Sequence, residues 1–203
     1  GVIAGANPQT KLSKGIMAGS IFGISLPSFW MGMMLIYVFS VSLQILPASG
    51  RAAAGPGGFS FLTPGGWKNL IMPVLTLALG YSATILRVTR AGIQENMKQD
   101  YVKFARAKGV SRRNVLFHHA LKNALVPVVT VFGLNIGHMF AFTTVTETIF
   151  AWPGVGKLLI DSILRNDRPI IVAYLILVSA MFVVINFVVD IIYMLVDPRI
   201  ELR

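Results

Sequence analysis

The chain has 203 residues, 55% of them hydrophobic and only 13% charged, with a formal net charge of +10 and no cysteine. A soluble domain carries about 25% charged residues to keep its surface in water, so this balance excludes a soluble globule. The missing cysteines exclude a disulfide framework, a Cys-ligated metal site and a thiol nucleophile.

Four stretches lack Asp, Glu, Lys and Arg over about the 18 or more residues that a spanning helix needs. They are Gly15–Gly50, Asn69–Leu86, Asn123–Thr146 and Pro169–Val189. They predict an all-α integral membrane protein, a single domain over 1–203, with complete spans at about 16–41, 69–90, 124–146 and 169–195. The opening GVIAGA reads as the tail of an earlier apolar helix and not as a cleavable signal. The sequence therefore looks like part of a longer chain.

Lys11 and Lys14 precede the first span, and Pro27 within it predicts a kink. The segment 42–68 is rich in Gly and Pro, with turn signals at Gly55-Pro56, Gly57-Gly58 and Pro64-Gly65. Trp67 and Lys68 then suit the interface where the second span starts, with Pro73 expected in that span's first turn. After a basic segment at 91–123 and the third span, a second polar loop occupies 147–168. The fourth span follows, and the chain closes in DPRIELR.

Positive residues resist translocation. With the N-terminus inside, thirteen Lys and Arg fall on the cytoplasmic side, including Arg199 and Arg203, against five on the other. This orientation makes the C-terminus and the 91–123 segment cytoplasmic, and the loops 42–68 and 147–168 extracytoplasmic. The positive charge punctuates apolar spans and does not form a soluble groove, which argues against a nucleic-acid partner. The lipid bilayer is the partner it implies.

Reaction centres are hard to find. The run AWPGVGKL has Ala151 where a phosphate-binding loop needs its first Gly, and Leu158 where it needs Ser or Thr. It reads instead as a Pro-Gly turn leading into a short amphipathic helix at Gly156–Leu164. His118 and His119 are adjacent and diverge by about 100° on a helix, so they cannot chelate one ion together. No metal, cofactor or catalytic residue is predicted. Three polar residues inside spans, Asn135, His138 and Asn186, have two readings: hydrogen bonds between packed helices or the lining of a pathway. Asp190 near the end of the last span is a further candidate for pairing with the basic segment.

That segment, Arg87 to Lys122, holds nine of the eighteen Lys and Arg residues. Helix formers run from Glu95 to Lys108, with Met97, Tyr101 and Ala105 along one i, i+4 stripe. Gly109 sits at a C-cap position and Ser111 is a good N-cap for a second helix. The pattern predicts a helix–Gly turn–helix hairpin under the membrane, with small residues at 105, 107 and 109 allowing close approach by another surface. A lipid-headgroup anchor is the alternative.

The run DYVKFARAKGVSRRNVLFHHALKNALVPVVTVFG resembles the coupling (EAA) loop of ATP-binding-cassette importer permeases, in the dipeptide/oligopeptide and nickel branch. The resemblance extends to GISLPSFWMGMMLI, LPASG, TETIFAWPGVGKLLIDSILRNDRP and VDIIYMLVDPRI, and so covers nearly the whole chain. It implies a type I transmembrane domain in the bacterial or archaeal inner membrane, here with four complete spans plus the tail of an earlier one. It also implies a second homologous permease, two cytoplasmic ATP-binding subunits and an extracytoplasmic solute-binding protein as partners. ATP would be bound by the ATPase partners, leaving this chain a transport subunit without an ATPase site.

By the same resemblance, Ala105, Gly109, Ser111, Arg112 and Arg113 would couple to the ATPase. Arg112 and Arg113 would pair with acidic groups on its rim. Lys103-Phe104-Ala105 stands where the generic loop has Glu-Ala-Ala, so a Glu-dependent contact does not carry over. Peptides are the implied substrate, with nickel or another small solute as the alternative. A gradient-driven secondary transporter would call for inverted repeats and paired mid-membrane acids, which the sequence does not offer.

Overall fold

A computed structural model describes residues 1–53, 55, 59, 60 and 63–196. Pro56, Gly57 and Gly58 of the expected turns, and Arg199 and Arg203 of the closing segment, lie outside the described residues. Every regular element among the described residues is helical. The helices are α1 (Val2–Ala6), α2 (Lys11–Ser25), α3 (Ser28–Leu35), α4 (Pro64–Asn96), α5 (Asp100–Ala107), α6 (Arg112–Asn114), α7 (Leu121–Ile149), α8 (Val155–Leu164) and α9 (Arg168–Val196). Wider π-type turns extend α3 over Ile36–Ser42 and join α6 to α7 over Val115–Ala120.

Three of these helical stretches are long and apolar enough to cross a membrane: Gly65–Asn96, Arg112–Met139 and Arg168–Ile192. The pair Lys11–Ser25 and Ser28–Ser42 makes a fourth if counted as one broken span. Pro27 thus does more than kink the first span: α2 stops at Ser25 and α3 starts at Ser28, with Pro27 extended at φ −58° and ψ 138°. The residue before proline is steered out of the helical region, and here one helix ends before Pro27 and a second starts just after it.

α4 begins at Pro64, so Pro73 lies in the helix interior and not in its first turn. Pro127 is likewise interior to α7. Each proline removes one helical N–H donor, which apolar helices tolerate when neighbouring groups re-satisfy the backbone. Side-chain hydroxyls in these helices turn back on their own backbone. Thr76 donates to the Met72 carbonyl at 2.8 Å, Thr89 to Ile85 at 2.7 Å and Thr130 to Val126 at 3.1 Å. This i−4 pattern hides a hydroxyl without needing a partner helix.

The chain divides into two compact units. The first comprises Gly1–Ile24, Tyr81–Ile136 and the part of α9 from Val183 onward; the second comprises Ser25–Gly80 and Gly137–Phe182. In the first unit Ile93, Ala120 and Ala124 form a fully buried cluster, with Met97, Leu116 and Leu121 packed on it. A Cβ on Gly92 would come within 3.1 Å of the Ala124 Cβ, so small residues set how closely the end of α4 meets the start of α7. In the second unit Phe150 and Met72 are buried, and a Cβ on Gly32 would reach 3.3 Å from the Phe150 ring.

Little of the long helices is covered. Only 6% of the apolar window of α9 is buried, at a mean hydropathy of 2.7. Water cannot be the natural surroundings of such a surface. Its area demands lipid or another apolar protein face.

Candidate functional site

The polar segment between α4 and α7 folds on a small core of its own. Val102, Ala105 and Val115 are buried together, with Met97 and Val110 packed against them. These residues bring the turn after α4, helix α5 and the start of the next helix onto one apolar cluster.

The turn explains why a glycine stands at 109. The Val110 N–H donates to the Ala105 carbonyl at 3.2 Å, and the Gly109 N–H donates to Arg106 at 2.9 Å. This is the Schellman pairing that closes a helix C-terminus, and it requires a left-handed residue at the position Gly109 occupies. Gly109 has φ +78°. A Cβ there would meet nothing within 4 Å, so backbone conformation and not crowding within the chain demands glycine. Val110 completes the motif by packing against the cluster that contains Ala105.

Ser111 then starts the second arm, its hydroxyl accepting the Asn114 N–H at a long 3.4 Å. Helix α6 has only three residues before the π-type turn carries the chain into α7 without a break. The second arm of the hairpin is therefore the beginning of the long helix and not a separate helix under the membrane. No Gly or Pro lies between Ser111 and Asn123 to stop it.

The first arm is organised differently. Three residues separate Asn96 from Asp100, and a hydrogen-bonded set holds this turn. The Tyr101 hydroxyl donates to Asn96 Oδ1 at 2.7 Å and accepts from Asn123 Nδ2 at 3.0 Å. Tyr101 is thus an edge residue linking three elements, and Val102 is the buried residue of this pair. Asp100 pairs with Lys103 at 2.8 Å. The hydrogen bond and charge of Lys103 hold the Asp100 carboxyl below its ordinary value. Lys108 lies over the exposed Phe104 ring at 4.5 Å.

The five residues expected to couple to a partner share this hairpin but not one exposed face. Gly109 and Ser111 form the turn, and Arg113 is exposed. Ala105 is 7% exposed and packs inside the hairpin, where its small size serves the hairpin's own core. Arg112 does not stand free at the rim either. Its Nη2 donates to the Ala6 carbonyl at 3.3 Å and to Asn7 Oδ1, at the C-terminal end of α1.

Of the three polar residues inside spans, Asn135 and Asn186 belong to the first unit and His138 to the second. The Asn135 side-chain nitrogen is buried with no hydrogen-bond partner among the described residues. His138 is exposed and Asn186 half-buried. No ion pair among the described residues joins Asp190 to the basic segment.

One functional-looking residue escaped the sequence reading. Glu147, at the end of α7, is 8% exposed, and its Oε2 accepts the Lys157 N–H at 2.8 Å at the start of α8. Its carbonyl accepts the Trp152 N–H at 2.8 Å, and a Cβ on Gly154 would collide with its carboxylate. The run AWPGVGKL is therefore a helix entry already occupied by the protein's own anion. The sequence signal was the spacing from Glu147 to a glycine pair, legible only once the turn is known.

These features define a class: a helical membrane protein with a polar, self-packed hairpin set between two long apolar helices. Residues 1–202 match the family described as "Binding-protein-dependent transport system inner membrane component", and the chain belongs to that family. The di/tripeptide transport system permease protein DppB of Pseudomonas aeruginosa (strain UCBPP-PA14) is 44% identical over 218 residues, covering 99% of this chain and 64% of that protein. The oligopeptide transport system permease protein AppB of Bacillus subtilis (strain 168) is 40% identical over 201 residues, covering 99% of this chain and 63% of that one. The glutathione transport system permease protein GsiC of Escherichia coli (strain K12) is 41% identical over 187 residues, covering 92% and 57%. The chain thus spans less than two thirds of the length of these curated relatives.

Proposed function

We propose that the chain is the membrane domain of a permease subunit in an ATP-driven importer of peptides. Four spans would cross the bacterial or archaeal inner membrane, counting α2 and α3 as one, with the hairpin and the C-terminus cytoplasmic. The Lys and Arg distribution supports that orientation. Peptides are favoured because the similar permeases are named for di- and tripeptides, oligopeptides and glutathione. A second permease, two ATPase subunits and an extracytoplasmic solute-binding protein complete the proposed assembly.

The observation that carries the reading is the hairpin itself. It has its own core, a turn fixed at Gly109 and an exposed face with Phe104 and Arg113. A solvated loop needs none of this order. Docked on an ATPase, such an element moves as one body, and closure of the ATPase pair shifts the balance between inward- and outward-open states of the attached helices. Asn135, His138 and Asn186 are proposed to face the pathway.

Gly109→Asp tests the reading in the full transporter. Asp is among the residues that visit the left-handed region, so the turn persists while a carboxylate is added to the docking face. The expected result is permease present in the membrane, ATP hydrolysis continuing and uptake lost. Normal uptake would refute the docking assignment.

A further inference from the structure

Helix α1 and the residues after it lie against the cytoplasmic end of α4. A Cβ on Gly5 would sit 2.7 Å from Ile93 Cβ, so a glycine is what lets these two helices touch. Ala4 is fully buried, and its carbonyl accepts the Ser13 hydroxyl at 3.0 Å, which folds the start of α2 back onto α1. The start of α2 is thus tied to α1, and α1 is seated on α4.

Between this piece and the hairpin lies an open groove of about 720 Å³, with Pro8 and Gln9 on one side and Arg106 and Val110 on the other. Arg112 reaches across from the hairpin. Its guanidinium donates both to the Ala6 carbonyl and to Asn7 Oδ1, more than a hundred residues away in sequence. A guanidinium suits this task because each terminal nitrogen carries two N–H donors, and here Nη2 engages both acceptors.

We infer that Arg112 is a positioning residue that clasps the N-terminal segment to the hairpin. Movement of the hairpin is then transmitted to α1 and α2, as well as to α4 and α7 through the chain. The inference rests on the docking reading above and assigns Arg112 an internal task in place of an ion pair on the ATPase rim. The hairpin drives three routes into the membrane, and Arg112 and Asn7 make the third.

The full transporter, reconstituted with its partners, tests this through uptake per ATP hydrolysed in Asn7→Ala, Arg112→Lys and the double variant. Coupling free energies fall in a range of about 5- to 150-fold, and an exposed contact belongs at its lower end. Each single variant should lower the ratio about fivefold, and the double variant should be no worse than the poorer single, because the Asn7 variant acts only through its hydrogen bond with Arg112. An unchanged ratio in Asn7→Ala, or effects that multiply, would overturn the clasp. The chain contains no cysteine, so spin labels at Gln9→Cys and Asn114→Cys report the span of the clasp directly. Their separation should stay constant through the ATP cycle and vary once Asn7 is replaced by Ala. A separation that varies equally with Asn7 in place would also overturn it. Normal uptake in Gly109→Asp would defeat the docking reading alone, since the label separation measures the clasp independently.

Discussion

Gly109 offers the sharpest test of the local physics, because conformation and space can be separated there. Its φ of +78° lies in the left-handed region, yet a Cβ would meet nothing within 4 Å. An ordinary L-residue in that region costs roughly 1–2 kcal/mol. Asn is much better tolerated there, and a β-branched residue is worst placed. At about 1.4 kcal/mol per factor of ten, Gly109→Val should open the turn about 5- to 30-fold more often. The Val110 N–H reports this opening, since it is held by the Ala105 carbonyl. In hydrogen exchange on the permease without its ATPase, Val110 should therefore exchange about 5- to 30-fold faster in Gly109→Val, and Gly109→Asn should differ little from the parent. Equal acceleration by Asn and Val would mean that side-chain bulk matters and not backbone conformation. No acceleration by Val would mean that the Schellman turn is not what holds the hairpin.

Ala105→Leu should disrupt the hairpin core, because overpacking a buried site costs about 1–3 kcal/mol; faster proteolysis within 97–115 would report it, and unchanged proteolysis would contradict the burial of Ala105. Glu147→Ala should leave the Lys157 N–H without its acceptor at a cost of about 1–3 kcal/mol, seen as faster exchange of that amide, whereas Glu147→Gln should retain much of the protection. Asn135→Leu should leave the fold intact or firmer, since its buried nitrogen has no partner among the described residues, while uptake falls if the residue faces the pathway. A marked loss of folded protein would instead assign it a structural hydrogen bond. Asp100 has a carboxyl lowered from its ordinary 3.8 by Lys103, so its stabilising effect is present above that value and lost as pH falls through the lowered one. Protection at the start of α5 should accordingly stay flat from neutral pH down to about that ordinary value and decline only below it, and a decline already at pH 6 would point to another group.

The apolar helices were legible because uncharged runs of membrane length have few other uses. The turn was legible for the same kind of reason: Gly109 followed by Ser111 matches the needs of a helix end and a helix start. What stayed hidden depended on contacts that no period encodes. The i, i+4 stripe put Tyr101 with Met97 and Ala105, but the short turn after Asn96 rotates Val102 into the core and leaves Tyr101 to bridge Asn96 and Asn123. The burial of Ala105 stayed hidden because its neighbours in the cluster, Val102 and Val115, lie on opposite sides of the turn. The internal acceptors of Arg112 stayed hidden because Ala6 and Asn7 lie more than a hundred residues before it in sequence. The restart of the helix after Pro27 also exceeded the kink expected from one proline, since an interior proline permits bending and tertiary packing decides whether helix resumes.

The two arms of the hairpin are joined to the long helices in unlike ways, and this bears on how a docked hairpin would act. From Arg112 to Ile149 the backbone is helical throughout, widened by a π-type turn over Val115–Ala120. Displacement of a docked second arm would therefore pass directly into α7. The first arm meets α4 across a three-residue turn, where the ladder of helical hydrogen bonds is interrupted and side chains take over. The Asn96–Tyr101–Asn123 set spans that interruption and is exposed to solvent. Exposed side-chain hydrogen bonds contribute about 0.5–1.5 kcal/mol each, well below what it takes to break a continuous helix. Force on the hairpin would consequently be carried stiffly into α7, while the joint to α4 is the place able to flex. The Arg112 clasp adds a second restraint on the α4 side, through α1 and the Gly5–Ile93 contact. A hairpin attached by one rigid arm, one jointed arm and a clasp can rotate about the joint without losing its core.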